Sequence, residues 1–252
     1  MFKKLISLFL AILLLAGCGA YAENENERSL PDDTLYGFFD NAMFIGDSIT
    51  RQLRVRIIER QKTDPACFAG ARFYTAQSYM LYAATKSRIM DGTASLKMNG
   101  RSVHMYEILE KYHPAYLFIL LGVNDYIGEK IEKGIGYTDI IVNKVKQVSP
   151  ETRVVFQSLT PLSKSFSGKR DLRTKWDKYN EALRENCLKN GSYYLDIASP
   201  LKDSDGYLPS SLSSDGRYHL NDDGLEIWLD CLLNFADERY QAGEWTPAEK
   251  SE

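Results

Sequence analysis

Residues 115–125 read Ala115-Tyr116-Leu117-Phe118-Ile119-Leu120-Leu121-Gly122-Val123-Asn124-Asp125. Ala115 to Leu121 is an unbroken apolar run. A strand with one wet face alternates apolar and polar residues, whereas a short continuous run predicts a strand buried on both faces. Such strands belong to parallel sheets covered by helices. His113-Pro114 stops the helical stretch that ends at Tyr112, because the residue before proline avoids helical geometry. The run then opens at Gly122 into polar residues.

The same alternation extends to both sides. Asn41 to Ile45 is a short apolar run ending in Gly46-Asp47-Ser48. Ile49 to Gln61 follows, with Leu53, Ile57 and Ile58 at near-helical spacing. Its arginines 51, 54, 56 and 60 suit a solvated helix face or an anionic substrate. Tyr137 to Val148 reads as a helix closed by Ser149-Pro150. Arg153 to Leu159 is a further strand, and Lys175 to Lys189 a helix stopped by Asn190-Gly191. Ser192 to Ile197 is another strand, and Asn221 to Ala236 a last helix. Strands separated by helices predict an α/β fold with a mainly parallel sheet of about five strands. The stretch from Ser163 to Lys169 reads as a surface loop, either a connector or a wall of a cleft.

The chain has 252 residues, 44% of them apolar and 26% charged, with a net charge of -3. This balance excludes a disordered tail protein and a disulfide mini-scaffold. The negative charge argues against a nucleic-acid partner. With no internal repeat and no second compositional block, one domain from 35 to 244 is expected, followed by a polar tail over 245–252.

The first residues fall outside that domain. Lys3 and Lys4 precede an uncharged stretch from Leu5 to Ala16, shorter than the ~20 residues a bilayer span needs. This is a secretory signal pattern. It ends Leu15-Ala16-Gly17-Cys18, which resembles the bacterial lipoprotein signal. That resemblance implies a signal peptide over 1–17, lipidation of Cys18, and a polar, flexible tether over 18–34. The protein is then expected outside the cytoplasm, anchored to a membrane rather than spanning it. Of the four cysteines, Cys187 and Cys231 sit in helix-like segments and read as buried structural residues. Cys67 completes an odd set, so at least one thiol stays free. No Cys/His cluster has zinc spacing, and no metal site is expected.

In an open parallel sheet, ligands bind at the carboxyl ends of the strands. Three features fall there. Ser48 stands at the turn from the first strand into a helix, where free N–H groups can hold negative charge; a helix N-cap is the competing reading. Asn124 stands where the central strand opens, either as an oxyanion donor or as an Asx-turn residue. Asp215 and His219 lie in a late loop. With only three histidines in the chain, and with His104 and His113 at helix borders away from strand ends, His219 is the candidate base.

Together these segments resemble the SGNH/GDSL hydrolase family. Phe44-Ile45-Gly46-Asp47-Ser48 matches its first block, Gly122-Val123-Asn124-Asp125 its third, and Asp215 to His219 its fifth. Gly70 in Cys67-Phe68-Ala69-Gly70-Ala71 is the candidate for the second block. One departure stands out: the family usually places the acid three residues before the histidine, whereas Asp215 precedes His219 by four. Either the extra residue bulges the loop and Asp215 still orients the ring, or a backbone carbonyl or another acid such as Asp222 does.

The resemblance implies a three-layer α/β/α, flavodoxin-like fold and ester hydrolysis without a cofactor. It assigns Ser48, His219 and Asp215 as nucleophile, base and acid, and Ser48, Gly70 and Asn124 as oxyanion donors. An O-acetylated carbohydrate is the expected substrate, with Tyr126, Trp176, Tyr207 and Tyr218 available to stack on sugar rings. A lysophospholipid or short-chain acyl ester is the rival substrate class. An O-acetyltransferase using the same serine and a non-catalytic glycan-binding lipoprotein are the other classes left open.

Overall fold

A computed structural model describes residues 28–125, 130–168 and 171–248. The signal segment, Cys18 and Tyr126 lie outside these residues. The elements in chain order are α1 (Asp32–Leu35), β1 (Ala42–Gly46), α2 (Ser48–Arg60), β2 (Arg72–Thr75), α3 (Leu81–Ala84), β3 (Leu96–Met98), β4 (Arg101–Val103), α4 (Met105–Tyr112) and β5 (Tyr116–Leu120). They continue with α5 (Ile131–Val148), β6 (Arg153–Gln157), α6 (Lys164–Ser167), α7 (Leu172–Asn190), β7 (Tyr193–Leu195) and α8 (Asp222–Gln241).

Five strands form one sheet in the order β2-β1-β5-β6-β7, and every neighbouring pair is parallel. β1 and β5 are buried at every position, as the unbroken apolar runs require of strands covered on both faces. Helices flank the sheet, giving the α/β/α architecture. Phe44 of β1 stacks between Phe73 of β2 and Phe118 of β5, at 4.6 and 4.7 Å between centroids. On the other side of the sheet order, the fully buried Trp228 of α8 donates through Nε1 to Gln157 Oε1 of β6 at 2.8 Å. That bond satisfies the indole inside the core.

β2, α3, β3 and β4 were not expected. β2 is short and only half-buried, so it lacks the apolar signature of the central strands. β3 and β4 pair antiparallel as a separate hairpin, and α3 has only four residues. α5 begins at Ile131 rather than near Tyr137.

The segment expected to be a tether is tied down from Arg28 onward. The Arg28 guanidinium bonds to Asp32 at 2.6 Å, Asp230 at 2.9 Å and Asn234 at 2.8 Å. The amides of Ser29 and Leu30 donate to the Asp237 carboxylate, each at 3.2 Å. At the other end, Trp245 packs edge-on against Phe38 at 5.5 Å, so packing continues past residue 244. Cys67, Cys187 and Cys231 are all buried free thiols. Among the described residues, no helix is long and apolar enough to cross a membrane.

Candidate active site

β1 delivers the chain to the carboxyl edge of the sheet, where Asp47 and Ser48 turn it into α2. The N-cap is Asp47, not Ser48: the Asp47 side chain accepts from the Ile49 amide at 2.9 Å. This cap leaves the Ser48 hydroxyl available. The Ser48 amide sits in the first turn of a 13-residue helix, where N–H groups lack intrahelical partners and the dipole favours negative charge.

Ser48 Oγ lies 2.9 Å from His219 Nε2, and His219 Nδ1 lies 2.6 Å from Asp215 Oδ2. The other Asp215 oxygen accepts from the amides of Arg217, Tyr218 and His219 at 2.8, 3.3 and 3.3 Å. The loop therefore wraps around its own carboxylate. The extra residue between acid and base is absorbed by Gly216, whose φ of +70° places it in the left-handed region that glycine adopts without strain. Partial burial opposes ionisation of Asp215, but the bonds from His219 and from the Arg217 amide outweigh it and hold the carboxyl below its ordinary value. Asp222 takes no part: its side chain is 78% exposed and faces Arg56 at 3.5 Å. His104 caps α4, and His113 closes the same helix. His219 is the histidine that reaches Ser48.

Asn124 arrives on the turn after β5. Its Nδ2 donates to Asp47 Oδ2 at 2.6 Å and lies 3.4 Å from the Tyr79 carbonyl. The next residue, Asp125, accepts from the amides of Leu81 and Tyr82 at 2.7 and 2.9 Å. Asn124 and Asp125 together bind the chain that follows β2 to the chain that follows β5. Asp47 is fully buried. Burial pushes its carboxyl up to about 6, against the Ile49 amide and the nearby His219, which favour the charged form. Burial also raises Asp125, against its two amide bonds.

Gly70 is not brought to this site. It precedes β2, and the parallel register Met43↔Arg72 to Gly46↔Thr75 places it at the amino ends of the strands. At ~3.3 Å per residue, the length of β2 puts it roughly 15 Å from the carboxyl edge. A Cβ on Gly70 would meet the Asp40 Cα at 2.5 Å, so this glycine serves a close chain crossing. The segment that does approach the site follows β2: the Ala76 amide donates to the Gly46 carbonyl at 3.2 Å, and Ser78 is left-handed at φ 58°.

Residues that the sequence did not single out hold the site together. Thr160 Oγ1 donates to the Tyr218 carbonyl at 3.0 Å, and the Ser163 amide donates to the Arg217 carbonyl at 2.7 Å. The expected surface loop after β6 thus grips the loop carrying Asp215 and His219. Asp47 had a legible signal, an aspartate at a strand-to-helix turn. Asp125 stood in the third matched block and Ser163 at the start of the expected loop, but Thr160 had no signal, and these partners of all three lie 40 or more residues away. Two of the α2 arginines tie the helix to its neighbour: Arg56 and Arg60 both pair with Glu226 of α8, at 2.5 and 2.9 Å, while Arg51 and Arg54 are exposed. Trp176 is buried and offers no surface to a sugar, while Tyr207 lies under the Arg173 guanidinium at 5.2 Å. No cluster of three or more His, Cys, Asp or Glu suited to a metal occurs among the described residues.

This arrangement falls within a known class. The family model of the GDSL-like lipase/acylhydrolase family matches residues 44–227, and the chain belongs to that family of hydrolases acting on esters. Solved structures share the fold at low identity. One from Bacteroides fragilis, assigned as an acylhydrolase, is 16% identical with a TM-score of 0.59, over 78% of this chain and 86% of its own. A GDSL-like lipase from Bacteroides thetaiotaomicron is 14% identical with a TM-score of 0.54, over 80% and 89%. A catalytic mutant of an acetylxylan esterase from Geobacillus stearothermophilus is 15% identical with a TM-score of 0.55, over 77% and 93%. No curated protein matches the sequence significantly.

Proposed function

We propose that this chain is an extracytoplasmic serine esterase that removes O-acetyl groups from a glycan through an acyl-enzyme. The observation that carries the reading is the continuous chain Ser48 Oγ–His219–Asp215 at 2.9 and 2.6 Å. Both contacts lie within the reach that proton transfer needs.

His219 Nε2 takes the Ser48 proton as Oγ attacks the ester carbonyl carbon. Asp215 steadies the imidazolium that forms. The carbonyl oxygen becomes an oxyanion, held by the Ser48 amide at the start of α2 and by Asn124 Nδ2. One Asn124 hydrogen is committed to Asp47; the other makes only the long contact to Tyr79, which an oxyanion can replace. The chain after β2, around Gln77 and Ser78, supplies the remaining amide in place of Gly70. As the tetrahedral adduct collapses, its C–O bond to the alcohol breaks and Nε2 protonates the departing oxygen. Water then gives its proton to Nε2, attacks the acyl-serine and frees the acid, and Ser48 recovers its proton.

The acetyl group is favoured by the fold neighbours that are acetyl xylan esterases. The signal-like segment ending at Cys18 supports lipid anchoring outside the cytoplasm, next to surface glycans. The test is hydrolysis of p-nitrophenyl acetate, butyrate and octanoate by wild type and Ser48→Ala. Serine-dependent turnover that favours acetate supports the reading; a preference for octanoate moves the substrate to lipids. Fractionation of cells expressing wild type and Cys18→Ala tests the anchor, and an unchanged distribution refutes it.

A further inference from the structure

Two aromatic rings continue outward from the candidate base. The Tyr218 ring lies 4.7 Å from the His219 imidazole, and Phe166 meets Tyr218 edge-on at 5.5 Å. The Arg217 guanidinium lies over Phe166 at 5.6 Å. Both rings are half-buried, and Arg217 is exposed. Phe166 comes from α6, whereas Tyr218 and Arg217 come from the loop that carries Asp215 and His219. We propose that Tyr218, Phe166 and Arg217 form the alcohol-side subsite, which receives the sugar ring bearing the ester; this rests on the esterase reading above.

The side is set by proton transfer. His219 Nε2 must reach both Ser48 Oγ and the departing alcohol oxygen. The alcohol therefore lies towards the histidine, while the acyl oxygen lies towards Asn124. Groups next to the imidazole meet the alcohol, not the acyl chain. A pyranose presents C–H faces and a rim of hydroxyls. Aromatic surface suits the faces, and a guanidinium fork suits the hydroxyls.

The subsite is also rigid, as a binding surface should be to limit the entropy lost on association. Ser163 is its clasp. Its Oγ donates to the Gly216 carbonyl, its backbone amide donates to the Arg217 carbonyl at 2.7 Å, and its Oγ accepts from the Phe166 amide at 3.2 Å. Ser165 Oγ adds a bond to the Gly216 carbonyl at 3.2 Å. One serine thus sets the spacing between Phe166 and the loop of the base. The loop after β6 is then a specificity element rather than a plain connector.

The test separates binding from turnover. The full chain carrying Ser48→Ala is titrated calorimetrically with O-acetylated xylo-, manno- and chito-oligosaccharides. Binding to at least one is expected, weakened ~10-fold by adding Phe166→Ala. Arg217→Ala, at an exposed position, weakens it too, and Phe166→Tyr restores most of it. In the Ser48 background, kcat/KM of Phe166→Ala falls further on the sugar acetate than on glycerol triacetate. No binding to any acetylated oligosaccharide overturns the proposal, as does equal binding by Phe166→Ala and Arg217→Ala. The esterase reading fails separately, if wild type shows no Ser48-dependent hydrolysis of small acetates.

Discussion

Asn124 Nδ2 donates to Asp47 Oδ2 at 2.6 Å, joining the residue before Ser48 to the turn after β5. Asp47 thereby does two things: it caps α2 and fixes the amide of Asn124. Replacing Asn124 with alanine removes the proposed oxyanion donor and leaves a buried acceptor without this partner. Such a loss is expected to lower kcat by ~10²–10³-fold. A steady-state assay with p-nitrophenyl acetate checks it, and a fall of less than about threefold removes Asn124 from the oxyanion hole. If Asp47 acts through Asn124, the effects of Asp47→Ala and Asn124→Ala are far from additive in the double variant.

Asp47 also carries a pH signature. Burial disfavours the charged form and raises its carboxyl from the ordinary aspartate value, about 3.9, to about 6. Between these values the unfolded chain is ionised while the folded chain keeps its proton, and wild-type stability falls as pH rises through this window. The penalty, about 3 kcal/mol at most, is complete above the folded value. Asp47→Asn cannot ionise. Relative to wild type it is expected to gain stability between pH 4 and pH 8, whatever it loses in hydrogen bonding. Urea denaturation of both proteins across that range measures the difference; a constant difference places Asp47 in a solvated setting instead.

Asp215 and Asp222 are separated by geometry: one is 2.6 Å from the imidazole, the other faces Arg56. Asp215→Asn is expected to reduce kcat by ~10³–10⁴-fold, because an amide cannot hold the imidazolium or select the tautomer. Asp222→Asn should stay within about twofold. The same ester assay reads both, and the reverse order would identify Asp222 as the acid.

Gly70 makes the opposite kind of prediction. Its missing Cβ would press on Asp40 at the amino edge of the sheet, away from Ser48. Gly70→Ala is expected to lower stability by about 1–3 kcal/mol while kcat of the folded enzyme stays within about twofold. A thermal melt paired with active-site titration distinguishes the two effects. A large fall in kcat with an unchanged melt would return Gly70 to the oxyanion hole.

The order of the strongest elements was legible because each carries its own signal. Ala115 to Leu121 is apolar at every position and is a strand buried on both faces; Asn190-Gly191 ends α7 with a left-handed glycine. Such features depend on contacts within a few residues, or on burial alone. β2 and the β3–β4 hairpin escaped notice because a half-buried edge strand and a hairpin of three-residue strands hold too few apolar residues to set a period.

By itself, the sequence determined the alternation of strands and helices and named the candidate side chains for acyl transfer. It also marked the strand ends as their location. Only the tertiary structure decided which of those side chains meet. It placed Asp215, not Asp222, on His219, because the turn at Gly216 folds the loop around the carboxylate. It moved Gly70 to the far edge, because parallel pairing of β1 with β2 sets which end of each strand faces Ser48. It joined Asn124 to Asp47 and Ser163 to the loop of His219 across separations of 77 and 53 residues. Register and long-range hydrogen bonds are properties of the packed chain, and no local stretch of sequence specifies them.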